Sequence, residues 1–408
     1  MKRLMMVAYH FPPLVGSSGI QRTLRFVQHL PAFGWAPIVL TADPRAYEAT
    51  SSDLAAEVPS GVPVIRAFAL DTARHLAFFK RYPAFLARPD RWMSWQWGAV
   101  PAGMRLIREH CPAAIWSTYP IATAHAIGAS LHRRSGVPWI ADFRDPMSQD
   151  GYPADPQTWK RFKAIEETAV REAARCVFVT PGAARMYGAR YPDADPTRLA
   201  VIENGYDPES FASTDTAART AGPLNCGVVT LLHSGIVYPS ERDPTQFFEA
   251  LGRLRLHGVR VRFRAAVHDE LLRQLAAKHG VAEQVEVLPP IPYRAALEEM
   301  LRADGLFVMQ ASNCNAQIPA KVYEYFRARR PILGLTDPAG DTAASLRAAG
   351  IDAIAPLDSA DAISGALSDF AEAVKRGTAA KPSEAAVEAS SRRGRASQLA
   401  ALLDEAVR

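Results

Sequence analysis

Residues 317–333 read Gln317-Ile318-Pro319-Ala320-Lys321-Val322-Tyr323-Glu324-Tyr325-Phe326-Arg327-Ala328-Arg329-Arg330-Pro331-Ile332-Leu333. Val322, Tyr325 and Phe326 fall on one stripe at helical spacing, so the middle of the stretch reads as an amphipathic helix. The apolar run Pro331–Leu335 behind it reads as a strand. A helix that hands over to a short, wholly apolar strand is the repeating unit of a parallel sheet covered on both faces.

The same alternation runs outward in both directions. Toward the N-terminus, strand candidates are Arg3–Tyr9, Pro37–Thr41, Val64–Ala67, Ala114–Ser117, Pro138–Ala141, Cys176–Thr180 and Leu199–Ile202. Helical patterns such as Gly19–Leu30, Ala122–Arg134 and Trp159–Ala174 lie between them. A second series comprises Gly227–His233, Val259–Val267, Val285–Leu288, Gly305–Met309 and Pro331–Leu335. The chain is therefore expected to hold two doubly wound α/β domains, at 1–204 and 224–385. Residues 205–223 carry Pro208, Ser213, Thr214, Thr216 and Gly222 without an apolar period and read as the linker. Residues 386–408 read as a C-terminal helix packing back toward the N-terminal domain.

A length of 408 residues suits two domains of ordinary size, and 48% hydrophobic with 22% charged residues is a globular composition. No apolar run reaches the roughly 20 residues needed to span a bilayer. Met1-Lys2-Arg3 before Leu4–Ala8 imitates a signal peptide, but His10-Phe11-Pro12-Pro13 stands where a small-residue cleavage site belongs. The stretch is expected to be a first buried strand, and the protein cytoplasmic. Cys111, Cys176, Cys226 and Cys314 are too scattered for a metal pair or a disulfide framework, and Cys111 and Cys176 are expected to be buried. A net charge of +5 is too small to argue for nucleic acid.

Three segments carry chemistry. Lys321 and Glu324 share a helix face near its start. There a lysine can hold a phosphate and a carboxylate can accept ribose hydroxyls, although an ordinary surface ion pair has the same spacing. Leu231-Leu232-His233-Ser234-Gly235 ends a strand with a glycine that permits close approach of a ligand, and Arg242 follows beside the next helix, able to neutralise a diphosphate. Early in the chain, Gly16 and Gly19 flank a strand-to-helix turn, at Phe11-Pro12-Pro13-Leu14-Val15-Gly16-Ser17-Ser18-Gly19, where backbone N–H groups can meet an anion.

Four blocks, in this order, resemble the GT-B-fold glycosyltransferases of family 4, in the bacterial branch with a family-4-like N-terminal domain. They are His10-Phe11-Pro12-Pro13 with Gly16, Gly19 and Arg22; Trp139-Ile140-Ala141-Asp142-Phe143-Arg144-Asp145-Pro146; Val201-Ile202-Glu203-Asn204-Gly205-Tyr206-Asp207-Pro208; and Ile318-Pro319-Ala320-Lys321 with Glu324, Tyr325, Arg330, Pro331 and Ile332. The resemblance implies two Rossmann-like domains facing a central cleft, with a nucleotide-diphosphate sugar on the C-terminal domain and the acceptor on the N-terminal one.

It places Arg242 at the family's diphosphate position and Glu324 at the second glutamate of its paired-glutamate motif. The first glutamate falls at Ala316, leaving Gln317 as the neighbour able to contact the donor sugar. The arginine that usually follows the loop glycine is Ile236 here, so Lys321 is the candidate second cation. Donor-binding candidates are thus Gly235, Arg242, Gln317, Lys321 and Glu324. Asp142, Arg144, Asp145 and His125 are the candidates for catalysis on the acceptor side.

The expected activity is metal-independent, retaining hexosyl transfer to a glycan or lipid-linked acceptor in bacterial surface polysaccharide synthesis. The sugar nucleotide is a co-substrate, and no further cofactor is expected. Asp193-Ala194-Asp195 lies in a loop between prolines and is set aside as a metal motif. Residues 74–97 interleave Arg74, Lys80, Arg81, Arg88 and Arg91 with Phe78, Phe79, Phe85, Trp92, Trp95 and Trp97. That mixture suits contact with the inner membrane face, as well as a partly buried flap. Alternative readings are a sugar-nucleotide 2-epimerase of the same fold, or a non-catalytic sugar-nucleotide-binding relative.

Overall fold

The structure is a computed structural model that describes residues 1–16, 19–79 and 81–408, with side chains at all of these except 53, 213 and 219. Ser17 and Ser18 of the glycine turn, Lys80 of the basic-aromatic segment and the side chain of Ser213 lie outside the described residues.

The chain divides into two compact units, Met1–Glu203 with Arg392–Arg408, and Asn204–Ser391. The first unit is built on strands β1 (Lys2–Val7), β2 (Trp35–Ala42), β3 (Val64–Ala67), β4 (Ala114–Thr118), β5 (Trp139–Arg144), β6 (Arg175–Phe178) and β7 (Leu199–Val201), in the order β3-β2-β1-β4-β5-β6-β7. Every pairing in it is parallel. The second unit carries β8 (Val229–Ser234), β9 (Val259–Arg264), β10 (Val285–Leu288), β11 (Gly305–Gln310), β12 (Ile332–Thr336) and β13 (Ile354–Ala355), in the parallel order β10-β9-β8-β11-β12-β13.

Side-chain alternation along each strand builds two cores per sheet. On β1, Met5 and Val7 join one apolar cluster while Leu4 and Met6 join the cluster on the opposite face. On β11, Phe307 and Met309 face one way and Leu306 and Val308 the other. Burial on both faces is why these strands read as unbroken apolar runs rather than as alternating ones. Each large side chain so buried contributes roughly 1.5–3 kcal/mol. The two-residue β13 has no counterpart among the sequence expectations, because it is too short to carry a pattern.

The linker expectation for 205–223 needs correction. Pro208–Ala221 is a helix of the second unit, with Asp207 accepting from the Glu209 amide and Pro208 in the first turn. Phe211, Thr214 and Ala218 are its buried side, and Asp215 pairs with Arg327 at 2.6 Å. So few apolar residues, one of them only an alanine, hid the helical period. The helix Arg392–Ala406 belongs to the first unit, where Ala396, Leu399 and Leu403 pack with Leu24, Val27 and Leu30. Lys2–Asp404 at 2.8 Å and Arg395–Glu203 at 2.6 Å tie its two ends down.

Cys111 is also corrected. It is exposed and closes the helix Trp95–His110 in a left-handed conformation, φ 46°. Cys176 is buried in the first unit's core, and burial pushes its thiol up to about 12.

Candidate functional site

Strand order reverses beside β1 in the first sheet and beside β8 in the second, since each has neighbours reached in opposite directions. In open α/β sheets ligands bind beyond the carboxyl ends of strands at such a point. In both units the candidate side chains gather there.

In the second unit β8 ends at Ser234, and Gly235 follows at φ 116°, a conformation that glycine adopts without a steric cost. A Cβ at Gly235 would lie 3.0 Å from Lys321 Nζ, so the lysine is folded directly over this backbone. Its amine donates to His233 Nε2 at 3.0 Å, and His233 Nδ1 in turn donates to the Phe307 carbonyl at 3.1 Å. Arg242 is mostly buried, with Nη1 donating to the Ile236 carbonyl at 2.9 Å and the guanidinium 5.3 Å from the Tyr238 ring. Its Nε is buried with no hydrogen-bond partner among the described residues. Glu324 accepts from the Tyr293 hydroxyl at 2.8 Å, and Tyr325 accepts from the Ser234 amide at 2.9 Å.

These groups feel one another. Burial, with the Arg242 charge adding to it and Glu324 opposing it, lowers the Lys321 ammonium to about 7. Burial, then the charges of Lys321 and Arg242, hold the His233 ring well below the usual imidazole range. Lys321, Arg242, Glu324 and Gly235 are thus brought together within one unit. Gln317 stands exposed on the loop ahead of the lysine helix, where its carbonyl accepts from Gln310 and Thr342. His233 was not singled out from the sequence. The available signal was a histidine directly after Leu231 and Leu232, one residue from the strand's end.

In the first unit Arg22 donates from Nε and Nη2 to both Asp142 oxygens, at 3.0 and 2.8 Å, and also to the carbonyls of Ile202 and Glu203. Thr118 adds a third donor to Asp142 at 2.9 Å. Asp142 is 0% exposed, so this carboxylate is a buried structural anchor rather than a group presented to an acceptor. His125 is likewise 0% exposed, between the rings of Trp139 and Phe143, with Nδ1 2.8 Å from Ser117 Oγ. Burial lowers its imidazole to about 4. Both expectations of an acceptor-facing role are corrected by this packing.

Arg144 and Asp145 differ from them. The β5–β6 register slips between Asp142 and Arg144, and Arg144 takes φ 56°, which turns its side chain out of the strand. Its guanidinium lies beside the Tyr119 carbonyl, and its Nε has no hydrogen-bond partner among the described residues. A Cβ on Gly19 would collide with this guanidinium and with the His10 ring, so the helix start, His10 and Arg144 form one cluster. Burial, then the Arg144 charge, lowers His10 to about 4. Asp145 is exposed beside it. Gly16, at φ 84°, provides the left-handed turn. Asp195, of the discarded metal motif, caps a short turn by accepting from Thr197.

Comparison with known proteins adds likenesses in sequence and in fold. Residues 18–205 match the glycosyl transferase 4-like domain. Over 213 residues the chain is 31% identical to the D-inositol 3-phosphate glycosyltransferase of Geodermatophilus obscurus, a match covering 45% of this chain and 47% of that protein. The chain thus spans about half the length of the curated relative it matches. In structure it is similar to Anabaena HepE in complex with UDP and glucose, at 13% identity, TM-score 0.62 and 99% of each chain. It is also similar to the lipopolysaccharide outer core galactosyltransferase WaaB in its apo form, at 10% identity, TM-score 0.60 and 98% of this chain with 99% of that one. Residues 18–205 thus resemble the glycosyl transferase 4-like domain, and the chain as a whole shares with these structures a fold of two parallel Rossmann-like sheets.

Proposed function

We propose that the protein transfers a sugar from a nucleotide-diphosphate sugar to a glycan or lipid-linked acceptor. The observation that carries this reading is the meeting of Arg242, Lys321 and Glu324 around Gly235, beyond the carboxyl end of β8. Two cations over a bare glycine backbone suit a diphosphate leaving group, whose developing charge they would neutralise without a metal ion. Glu324, oriented by Tyr293, would accept from ribose hydroxyls. In the first unit His10, Arg144 and Asp145 are the groups able to orient an acceptor hydroxyl. Retention of the anomeric configuration is the stereochemistry this reading carries.

The acceptor side also favours work at an anionic membrane surface in surface polysaccharide assembly. Phe78 and Phe79 are 78% and 86% exposed, and Phe85 and Trp97 are exposed nearby. Arg74, Arg81 and Arg88 accompany them, and residues 74–89 contain no acidic side chain. Aromatic rings with basic neighbours are the combination that partitions into a headgroup region.

A thermal-shift screen with uridine, guanosine and thymidine diphosphate sugars tests the donor reading, because a ligand that binds only the native state raises its melting temperature. A stabilising sugar nucleotide is expected. No shift with any of them at millimolar concentration would remove the donor site. A donor consumed or epimerised without an acceptor would replace transfer with isomerase chemistry. The anomeric signal of the transferred sugar, read by NMR, decides retention.

A further inference from the structure

Lys321 is held in an unusual way for a cation. Among the described residues it forms no salt bridge, and Glu324 is the one carboxylate whose charge acts on it. Its partner is the neutral His233 ring, whose Nδ1–H is already committed to the Phe307 carbonyl of β11. That commitment fixes the tautomer, so Nε2 must be the acceptor. The ring cannot swing, because it is 0% exposed and packs against Phe263 and Phe307 with centroids 5.9 and 5.3 Å away.

We propose that His233 is the positioning residue of the diphosphate site: its ring holds the Lys321 amine over Gly235, with no carboxylate in salt-bridge contact, until a phosphate oxygen supplies the charge. This rests on the donor reading above and adds to it a residue and a proton. The groups facing Lys321 are His233 from β8, Arg242 from the loop beyond it, and Glu324 on its own helix. Two of the three cannot neutralise an ammonium, and Glu324 is engaged by Tyr293. The lowered ammonium of Lys321 agrees with this arrangement. An arriving diphosphate would reverse the balance, and the amine would take a proton from solvent as the anion binds. Departure of the nucleoside diphosphate would return it.

The test is calorimetry of UDP binding to the full chain between pH 7 and 9, in two buffers of different ionisation heat, with His233→Phe, His233→Gln and Lys321→Arg. Phenylalanine fits among Phe263 and Phe307 but accepts nothing from Lys321, whereas the glutamine carbonyl can accept. The unaltered protein is expected to take up close to one proton per UDP above pH 7 and to lose affinity as pH rises. Lys321→Arg should bind with no such uptake, since arginine stays charged. His233→Phe should bind UDP about tenfold more weakly, with His233→Gln recovering most of the loss.

Equal affinity and equal proton uptake in the unaltered protein and either the phenylalanine or the arginine variant overturns the inference alone. If His233→Phe does not fold, His233→Gln and Lys321→Arg decide it on proton count. If neither UDP nor GDP binds the unaltered protein, the donor site itself has failed and this inference falls with it.

Discussion

Arg22 and Asp142 form a two-point ion pair inside the first unit, with the guanidinium spanning both carboxylate oxygens at 3.0 and 2.8 Å and neither side chain more than 6% exposed. The same guanidinium holds the carbonyls of Ile202 and Glu203, so one side chain joins the first helix, β5 and the segment leaving β7. Removing one member of a buried pair leaves the other charged and unpaired, at about 3–5 kcal/mol. Asp142→Asn is therefore expected to lower urea unfolding stability by that order. An unchanged midpoint with abolished sugar transfer would return Asp142 to the chemistry.

Gly19 lies against the Arg144 guanidinium and the His10 ring. Gly19→Ala should push both aside and depress transfer, as should Arg144→Ala, while sugar-nucleotide affinity stays within about threefold of the unaltered protein, because the donor groups belong to the other unit. Steady-state rates combined with calorimetry check this. A collapse of donor affinity in either variant would refute the assignment of acceptor work to this cluster.

Arg242→Ala and Glu324→Ala address the donor. A charge-assisted hydrogen bond contributes about 1.5–3 kcal/mol, so each variant should bind the sugar nucleotide roughly 10- to 100-fold more weakly. Arg242 carries the larger effect, since its buried Nε has no partner among the described residues. Circular dichroism confirms the fold, and full affinity in both variants would remove the site.

Acid should weaken the fold through its buried imidazoles. His10 and His125 are lowered to about 4 by burial, and His233 falls well below its usual value. The unfolded chain then binds protons that the native state refuses, so stability is retained above about pH 6.5 and declines as pH falls toward 4. His125→Phe, flanked by Trp139 and Phe143, should narrow the stability gap between pH 7 and pH 5 by about 1–2 kcal/mol. An unaltered gap would mean that His125 is already charged in the native state.

Phe78 and Phe79 offer the simplest surface test. The double substitution to serine should reduce sedimentation with vesicles containing anionic lipid by several-fold, with little change in melting temperature, because both rings are exposed. Equal sedimentation of both proteins would discount this face as a membrane contact.

All twelve strands proposed from the sequence recur in the two sheets, with ends shifted by a few residues. Strands such as β1 were legible because burial on both faces removes their polar positions, as Leu4 to Val7 shows, whereas β9 was legible because Val259, Val261 and Phe263 alternate with arginines. Pro208–Ala221 was not legible as a helix. Only Phe211 marks its buried side strongly, and its attachment depends on the distant Arg327. Lys321, Glu324 and Arg242 could be named from residue type and spacing, whereas His233 could not, since an imidazole in a strand says nothing about which atom will meet it.

The repeated strand–helix rhythm, the two sheets and the residue types able to hold a diphosphate are written in the chain, because hydrophobic period and glycine placement are local properties. Which charged groups are spent on holding the fold emerges from long-range packing alone. Asp142 and Arg144 are two residues apart, yet one is sealed against Arg22 and the other turns out of the strand beside His10 and Gly19. Partners 120 residues away along the chain fix that difference, and the cost of burying an unpaired charge enforces it.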